Sequence, residues 1–211
     1  AFKTVSKKAK CIIVNNDDLN AKKIRHQCRY TFGIKNKSFV TATILLENQN
    51  GYKIKVNVKN EEYIFSLKIY GIHMVYNFLA SFTVYYLTHY KKKNIEEFVN
   101  EKFNNYNNPK RRNQEVKLSN GNIIIDDYAH HPNEIESTYQ SVKQKYRDYQ
   151  ITIVFQPHTY TRSIFLSEGF KKVFIDKEVY IADTFTSRES KDYLKEKVVK
   201  EIFKFIKPYD I

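Results

Sequence analysis

The second half of the chain repeats one pattern three times: an apolar stretch that predicts a buried strand, a polar loop, and a helical pattern. The predicted strands cover residues 123–125, 151–155 and 179–182. Consecutive strand–helix units pack as parallel strands joined by right-handed crossovers. The repetition therefore predicts a parallel, Rossmann-like α/β sheet. We expect this sheet to be truncated, because the sequence ends early for such a fold.

The first half is organised differently. Asn50-Gly51 separates two stretches rich in β-forming residues, and Asn-Gly favours a tight hairpin because both residues tolerate positive φ. With a third stretch these residues predict an antiparallel meander, followed by two helices. The predicted elements are a short strand at 11–14, meander strands at 40–46, 52–58 and 63–69, and helices at about 73–90 and 95–104.

The most linker-like stretch of the chain is Asn104 to Lys110, with Asn107-Asn108-Pro109, and the boundary between the halves is predicted between about residues 106 and 120. We divide the chain into a domain of residues 1–112 and a domain of residues 113–211. The expected fold class is α/β throughout.

Residues 69–90 contain no Asp, Glu, Lys or Arg, which raises the question of a membrane span. The same stretch holds two histidines and five tyrosines, so we predict a buried helix and no membrane contact. No secretory signal opens the sequence. Cys11 and Cys28 do not suggest a disulfide framework. We therefore expect a cytoplasmic protein.

The net charge of +13 has two interpretations. It could attract an anionic partner such as nucleic acid or a phosphorylated metabolite, or it could reflect a composition rich in Lys and Asn. Lysines are scattered, apart from Lys91–Lys93 and the cluster 110–112, and no nucleic-acid-binding motif is present. Nucleic acid is therefore not the expected partner. The five glycines are spaced so that no phosphate-binding P-loop lies within this sequence.

Polar motifs follow the predicted strands of the second half. Loops in this position lie at the carboxyl edge of a parallel sheet, where open α/β folds bind ligands. Acids, imidazoles and a guanidinium gathered there suggest chemistry on an anionic substrate. The motifs are Asp126-Asp127-Tyr128-Ala129-His130-His131-Pro132-Asn133-Glu134, Phe155-Gln156-Pro157-His158-Thr159-Tyr160-Thr161-Arg162 and Ser187-Arg188-Glu189.

These motifs resemble the C-terminal domain of the Mur ligase family, and within it the ligases that join L-alanine to UDP-N-acetylmuramate in peptidoglycan precursor synthesis. Earlier segments agree in family order: Asn16-Asp17-Asp18, Gly71-Ile72-His73 with Asn77, and Arg111-Arg112. The first domain thus resembles a partial central domain, and the second a truncated C-terminal domain.

The resemblance implies a reaction in which ATP phosphorylates the muramate carboxylate and the amino group of L-alanine attacks the acyl phosphate. ATP and Mg²⁺ are the implied cofactors, although the family's metal ligands are not in this sequence. By this resemblance Asp127 would hold the ribose of ATP, Arg112 a phosphate and Asn77 the adenine. Arg112, His130 and His131 are the implied catalytic residues, with neither histidine proposed as a general base.

The resemblance also implies a group of residues that face the amino acid and the acyl end of the sugar nucleotide. Arg162 suits a carboxylate, because its planar guanidinium can bind one bidentately. The group consists of Tyr128, His130, His131, His158, Arg162 and Arg188.

Each assignment has a structural alternative. The pair Asp126-Asp127 could cap the helix that begins near Pro132. The pair His130-His131 could be ordinary loop hydrogen-bonders, and Arg188-Glu189 could be a surface ion pair worth little. Asn15–Asp18 is read first as a turn that ends a strand.

Some features depart from the family pattern. Met74 stands where the helix motif has its first Asn, and Asn113 stands where Phe follows the arginine pair. The family's P-loop, magnesium-binding glutamate and UDP-binding domain all precede the part present here. We therefore expect this polypeptide alone to be inactive, with a missing N-terminal half as a partner. The alternatives are a noncatalytic remnant that binds a nucleotide or another anion and, less favoured, a nucleic-acid-binding module.

Overall fold

The computed structural model describes residues 2–89, 94–104, 106, 109, 111–204 and 206. The chain forms two compact units, Ala1–Asn107 and Asn108–Ile211, and each unit has its own hydrophobic core. Lys91–Lys93, Lys110 and the Asn107-Asn108 part of the expected linker lie outside the described residues. The domain boundary at residues 112 and 113 stays a prediction.

The first unit is built on a five-stranded sheet in the order β1-β2-β3-β4-β5. The first three strands run parallel and the last three antiparallel, so the predicted meander is confirmed. The elements are α1 (Phe2–Lys8), β1 (Ile12–Asn15), a 3₁₀ turn (Ala21–Lys23), β2 (Arg29–Gly33), β3 (Val40–Asn48), β4 (Gly51–Val58), β5 (Glu61–Leu67), α2 (Ile72–His89) and α3 (Ile95–Asn104).

The hairpin between β3 and β4 forms where the Asn-Gly pair predicts it. Gly51 has a φ of +112°, and a Cβ atom at this position would lie 2.2 Å from the carbonyl oxygen of Leu67. The side chain of Asn48 accepts a hydrogen bond from the backbone N–H of Asn50 at 2.8 Å. The turn therefore requires glycine both for its backbone conformation and for the close approach of β5.

Helix α2 is the charge-free stretch of the sequence, and its prediction as a buried helix is confirmed. One face packs into the core beside the sheet, where edge-to-face contacts join Phe65 to Phe78 and Phe82. Among the described residues, no helix combines the length and the apolar character needed to cross a bilayer. The buried residues of α2 are Val75, Phe78, Leu79, Phe82, Thr83 and Tyr86.

Asp17 ties the end of β1 to the loop after β2 and to α2. Its carboxylate accepts hydrogen bonds from the backbone N–H groups of Ile34, Lys35 and Asn36 at 2.6, 3.0 and 2.8 Å, and from the Tyr76 hydroxyl at 2.9 Å. Burial opposes the charge, yet these hydrogen bonds hold the pKa of Asp17 at about 2. The segment is thus a strand-ending turn that organises the unit.

Cys11 and Cys28 form a disulfide, which their spacing in the sequence did not suggest. In the parallel register of β1 and β2, Ile12 lies opposite Arg29. The residues immediately before them are therefore neighbours as well, with their Cα atoms 4.7 Å apart. The sequence pattern did not predict β2, and without this strand nothing brings the two cysteines together.

The second unit contains the predicted alternation of strands and helices, and the α/β class is confirmed. Strands β8 and β9 pair in parallel, whereas β6 and β7 form an antiparallel hairpin. The elements are β6 (Gln114–Lys117), β7 (Ile123–Asp126), α4 (Pro132–Lys145), β8 (Thr152–Phe155), α5 (Tyr160–Phe165), α6 (Ser167–Phe174), β9 (Glu178–Ile181) and α7 (Tyr193–Ile202).

Two details of this unit differ from a single continuous parallel sheet. Within the described residues, β7 and β8 belong to separate two-stranded sheets. A cavity of about 220 Å³ is lined by β7, by the apolar face of α4 and by β8. The helix predicted after β8 is also divided into α5 and α6, because Leu166 leaves the helical conformation at φ −102° and ψ 16°.

Candidate functional site

The N-terminus of α4 is capped by the histidine that the sequence offers as a catalytic residue. Nδ1 of His131 accepts a hydrogen bond from the backbone N–H of Asn133 at 3.2 Å. In return, Glu134 Oε2 accepts from the backbone N–H groups of His131 at 3.2 Å and His130 at 3.1 Å. This is a capping box, with histidine in the place usually held by Ser or Thr. A catalytic role of His131 stays a prediction.

Asp127 joins the end of β7 to the turn that carries the arginine pair. Oδ2 accepts from the backbone N–H of Asn113 at 2.8 Å, and Oδ1 accepts from that of Ala129 at 2.8 Å. The backbone N–H of Tyr128 donates to the carbonyl of Arg111 at 3.1 Å. Asp127 thus stabilises the loop and leaves α4 to be capped by His131.

Arg112 directly precedes the residue that Asp127 binds, so the structure brings these two candidate ATP contacts together. The Arg112 side chain is exposed, and among the described residues it makes no hydrogen bond or ion pair. An exposed guanidinium of this kind can bind a phosphate. The residues present therefore fit a nucleotide, although the ATP contacts themselves stay predictions.

Asn77 lies on the exposed side of α2, in the first unit, with its amide nitrogen 3.6 Å from the sulfur of Met74. Its assignment to adenine stays a prediction. The described residues contain no group of three or more His, Cys, Asp or Glu side chains that could hold a metal ion.

The loops after β7 and β8 bring four predicted residues into contact. The rings of Tyr128 and His130 are 5.0 Å apart, those of His130 and His158 5.3 Å, and those of Tyr128 and His158 6.1 Å. Arg162, on the first turn of α5, donates to Nδ1 of His158 at 2.9 Å and to its carbonyl at 2.7 Å. We call Tyr128, His130, His158 and Arg162 the histidine–arginine cluster. The ring of Phe185 packs 5.3 Å from His158.

These hydrogen bonds fix which ring nitrogens carry protons. Because a guanidinium only donates, Nδ1 of His158 is an acceptor and neutral His158 carries its proton on Nε2. Nδ1 of His130 lies 2.8 Å from the carbonyl of Tyr128, which only accepts, so neutral His130 carries its proton on Nδ1. Burial, followed by the charges of Arg162 and His130, lowers the pKa of His158 and favours its neutral form. The cluster thus offers a donor at His158 Nε2 and an acceptor at His130 Nε2.

The Ser187-Arg188-Glu189 segment follows β9. Arg188 is exposed, and its side chain has no hydrogen-bond or ion-pair partner within the part of the chain that is described, so its substrate role stays a prediction. Glu189 does not pair with Arg188. Instead it accepts from the backbone N–H groups of Tyr160 at 3.0 Å and Thr161 at 3.3 Å, at the start of α5. Sequence analysis missed this role because a cap supplied from 29 residues away leaves no local pattern.

Two family models together match most of the chain. The Mur ligase middle domain matches residues 2–85, and the Mur ligase glutamate ligase domain matches residues 111–207. The chain belongs to the Mur ligase family. Both domains occur in the order that the sequence motifs indicated.

Similar proteins share this family, and similar structures share its fold. The UDP-N-acetylmuramate–L-alanine ligase of Hydrogenobaculum is 36% identical over 86% of this chain, and that of Levilactobacillus brevis is 35% identical over 95%. The chain spans 40% and 46% of the length of these two proteins. The crystal structure of UDP-N-acetylmuramate-alanine ligase from Thermotoga maritima has a TM-score of 0.62 at 20% identity, covering 96% of this chain and 54% of that one. Folylpolyglutamate synthase from the same organism has a TM-score of 0.62 at 16% identity, and this likeness shows the shared fold.

Proposed function

We propose that this chain forms part of an ATP-dependent ligase that joins L-alanine to UDP-N-acetylmuramate. The observation that carries the proposal is the histidine–arginine cluster, which combines a cation, a donor on His158 and, in the neutral form of His130, an acceptor at the ends of β7 and β8. ATP would supply the activation of the muramate carboxylate as an acyl phosphate. The names of the similar ligases, at 35–36% identity, support the choice of substrates.

The cluster suits both ends of a small amino acid. Arg162 and Nε2–H of His158 would donate to the carboxylate of L-alanine, because both are donors and one is cationic. Nε2 of His130 would accept a hydrogen bond from the amino group of L-alanine. This hydrogen bond would direct the lone pair of the amino nitrogen toward the acyl carbon. Tyr128 would close the site from one side.

The loop held by Asp127 would serve the nucleotide. Arg112 would offset negative charge that develops on the phosphates during transfer, as exposed arginines do in other phosphoryl-transfer sites. The Asp127 carboxylate has lone pairs that its hydrogen bonds with the backbone N–H groups of Asn113 and Ala129 do not use. The remaining lone pairs could accept hydrogen bonds from the ribose hydroxyls. Asn77 would contact the adenine, and Arg188 the sugar nucleotide.

The test supplies the parts that lie outside this sequence. A chimera would join residues 1–211 to the N-terminal half of the Levilactobacillus brevis ligase, and alanine-dependent ADP release would be measured. We expect turnover in the chimera and none in residues 1–211 alone. Arg112→Ala and Asp127→Asn should each lower turnover by roughly 100-fold or more, as removal of one charge-stabilising group commonly does.

Arg111→Ala and Asp126→Asn are the matched controls, because each removes the same charge one residue away. Circular dichroism would establish that every variant is folded. Equal turnover in the four variants would contradict the assignment of Arg112 and Asp127. ADP release that does not depend on alanine would contradict the proposed acceptor.

A further inference from the structure

Glu189 belongs to a set of contacts that joins the loop after β9 to the loop after β8. The backbone N–H of Ala182 donates to the carbonyl of Phe155 at 2.9 Å, and that of Phe185 donates to the carbonyl of Pro157 at 2.8 Å. Glu189 ends the series at the first turn of α5. The two loops are therefore held together from the end of the paired strands up to the helix.

The first turn of α5 lacks a cap of its own. Thr159 occupies the N-cap position, but its side chain accepts no hydrogen bond from the helix. The free N–H groups of a helix start need acceptors, and here the Glu189 carboxylate provides them for Tyr160 and Thr161. Burial opposes the charge of Glu189, yet the Thr161 and Thr159 side chains and these N–H groups lower its pKa, so the carboxylate is ionised at neutral pH.

Arg162 is the next residue along this turn, and its guanidinium reaches back to His158. We propose that Glu189 is a positioning residue of the histidine–arginine cluster: by capping α5 from another loop, it holds Arg162 against Nδ1 of His158 and so keeps His158 as a neutral Nε2–H donor. Glu189 acts through the helix and does not itself touch the ligand. The positioning role stands independently of the proposed ligase function.

The test uses the sign of a pKa change at His158. Four charged or titratable groups face this imidazole: Arg162 from α5, Tyr128 and His130 from the loop after β7, and Glu189 from the loop after β9. As a negative charge, Glu189 raises the pKa of His158, whereas Arg162 lowers it. A purely electrostatic role of Glu189 therefore predicts that its removal lowers this pKa further. A positioning role predicts the opposite, because Arg162 would leave Nδ1.

We would titrate His158 by ¹H–¹⁵N NMR of the imidazole in residues 1–211, without ligand, in the wild type and in Glu189→Ala. The expected result is a rise in the His158 pKa of roughly 0.5 or more, in the direction of an unperturbed histidine. Arg162→Met should raise the same pKa directly. In the double variant, Glu189→Ala should give no further rise.

Glu168→Ala is the matched control, since it removes an exposed carboxylate of α6 that pairs with Lys171. It should leave the His158 titration unchanged. If Glu189→Ala does not fold, Glu189→Leu takes its place, because it removes the acceptor oxygens and keeps most of the side-chain volume, and it should give the same rise. An unchanged or lowered His158 pKa in the folded Glu189 variant would overturn the proposal. Because this measurement needs no turnover, it can succeed or fail whatever the outcome for the proposed ligase.

Discussion

Individual glycines differ in how far a side chain at their position would destabilise this structure, because the space around them differs. Gly51 and Gly121 both have positive φ, at +112° and +86°. A Cβ at Gly51 would lie 2.2 Å from the Leu67 carbonyl, whereas a Cβ at Gly121 would meet nothing within 4 Å. Position 51 therefore combines backbone strain with a clash against main-chain atoms that are already paired in the sheet.

We expect Gly121→Ala to lower the free energy of unfolding by about 1–2 kcal/mol, the usual cost of a side chain at positive φ. Gly51→Ala should cost clearly more, because β4 and β5 would have to separate. Urea denaturation of the two variants measures the difference. Equal losses would mean that the hairpin adjusts without disturbing the sheet.

The charge of Asp17 stabilises the first unit. Its pKa of about 2 is below the value of about 3.9 expected in the unfolded chain. The charge therefore stabilises the folded state above pH 4, and this contribution disappears as the pH falls from about 4 to 2. Asp17→Asn should lower the free energy of unfolding by about 1–3 kcal/mol at pH 7, since an amide nitrogen cannot accept and at least one of the N–H groups that Asp17 binds loses its acceptor.

The gap in stability between the wild type and Asp17→Asn should narrow between pH 4 and pH 2. Urea unfolding at pH 7, 4 and 2.5 checks this, with the exposed Asp148→Asn as a control for general loss of negative charge. A gap that is constant with pH would show that the hydrogen bonds matter and the ionisation does not.

At the scale of elements, α4 depends on the capping box of His131 and Glu134. Asn is among the best N-cap residues and Ala is among the worst. His131→Ala should therefore lower the free energy of unfolding by about 1 kcal/mol, while His131→Asn should be close to neutral. Hydrogen exchange of the amides in the first turn of α4 would report the local effect.

The same pair of variants separates capping from catalysis. In an active chimera, full turnover by His131→Asn would limit His131 to a structural role. Loss of turnover by a variant that still caps the helix would support the catalytic assignment.

Elements with strong local patterns were predictable, and elements set by distant contacts were not. Each such pattern lies within one stretch of sequence. Examples are the alternation of apolar and polar residues in β4, the turn at Gly51 and the apolar face of α2. Strand β2 lacks such a pattern and is stabilised by pairing with β1 and β3 on either side.

In the candidate site too, the residues within local motifs were predictable and the contacts between distant residues were not. The motifs placed His130, His158 and Arg162 at neighbouring strand ends, where the structure brings them into contact. The cap from Glu189 and the pairing of Cys11 with Cys28 depend on residues that are far apart in sequence. Local periodicity holds no information on either contact.

At the scale of the whole molecule, each unit has a separate core, so each should fold without the other. A protease site inserted after Pro109 should allow cleavage with no loss of the far-UV circular dichroism signal. A site inserted at the turn after β4, near Lys59, should cause a large loss of the far-UV circular dichroism signal once it is cleaved, because the cut interrupts the sheet of the first unit. Unfolding of either product after the first cut would contradict the independence of the units.

The absence of pairing between the described strands β7 and β8 has a consequence for how this polypeptide behaves in solution. Each strand is paired on one side only within the described residues, and the unpaired side of β8 runs along Thr152–Phe155, a segment without charge or proline. Edges of this kind recruit strands from other molecules. The net charge of +13 opposes such encounters at low ionic strength, and added salt weakens this repulsion. Purified at high salt, the chain should therefore form aggregates that light scattering detects, and a lysine at Val154, already 75% exposed, should keep it monodisperse.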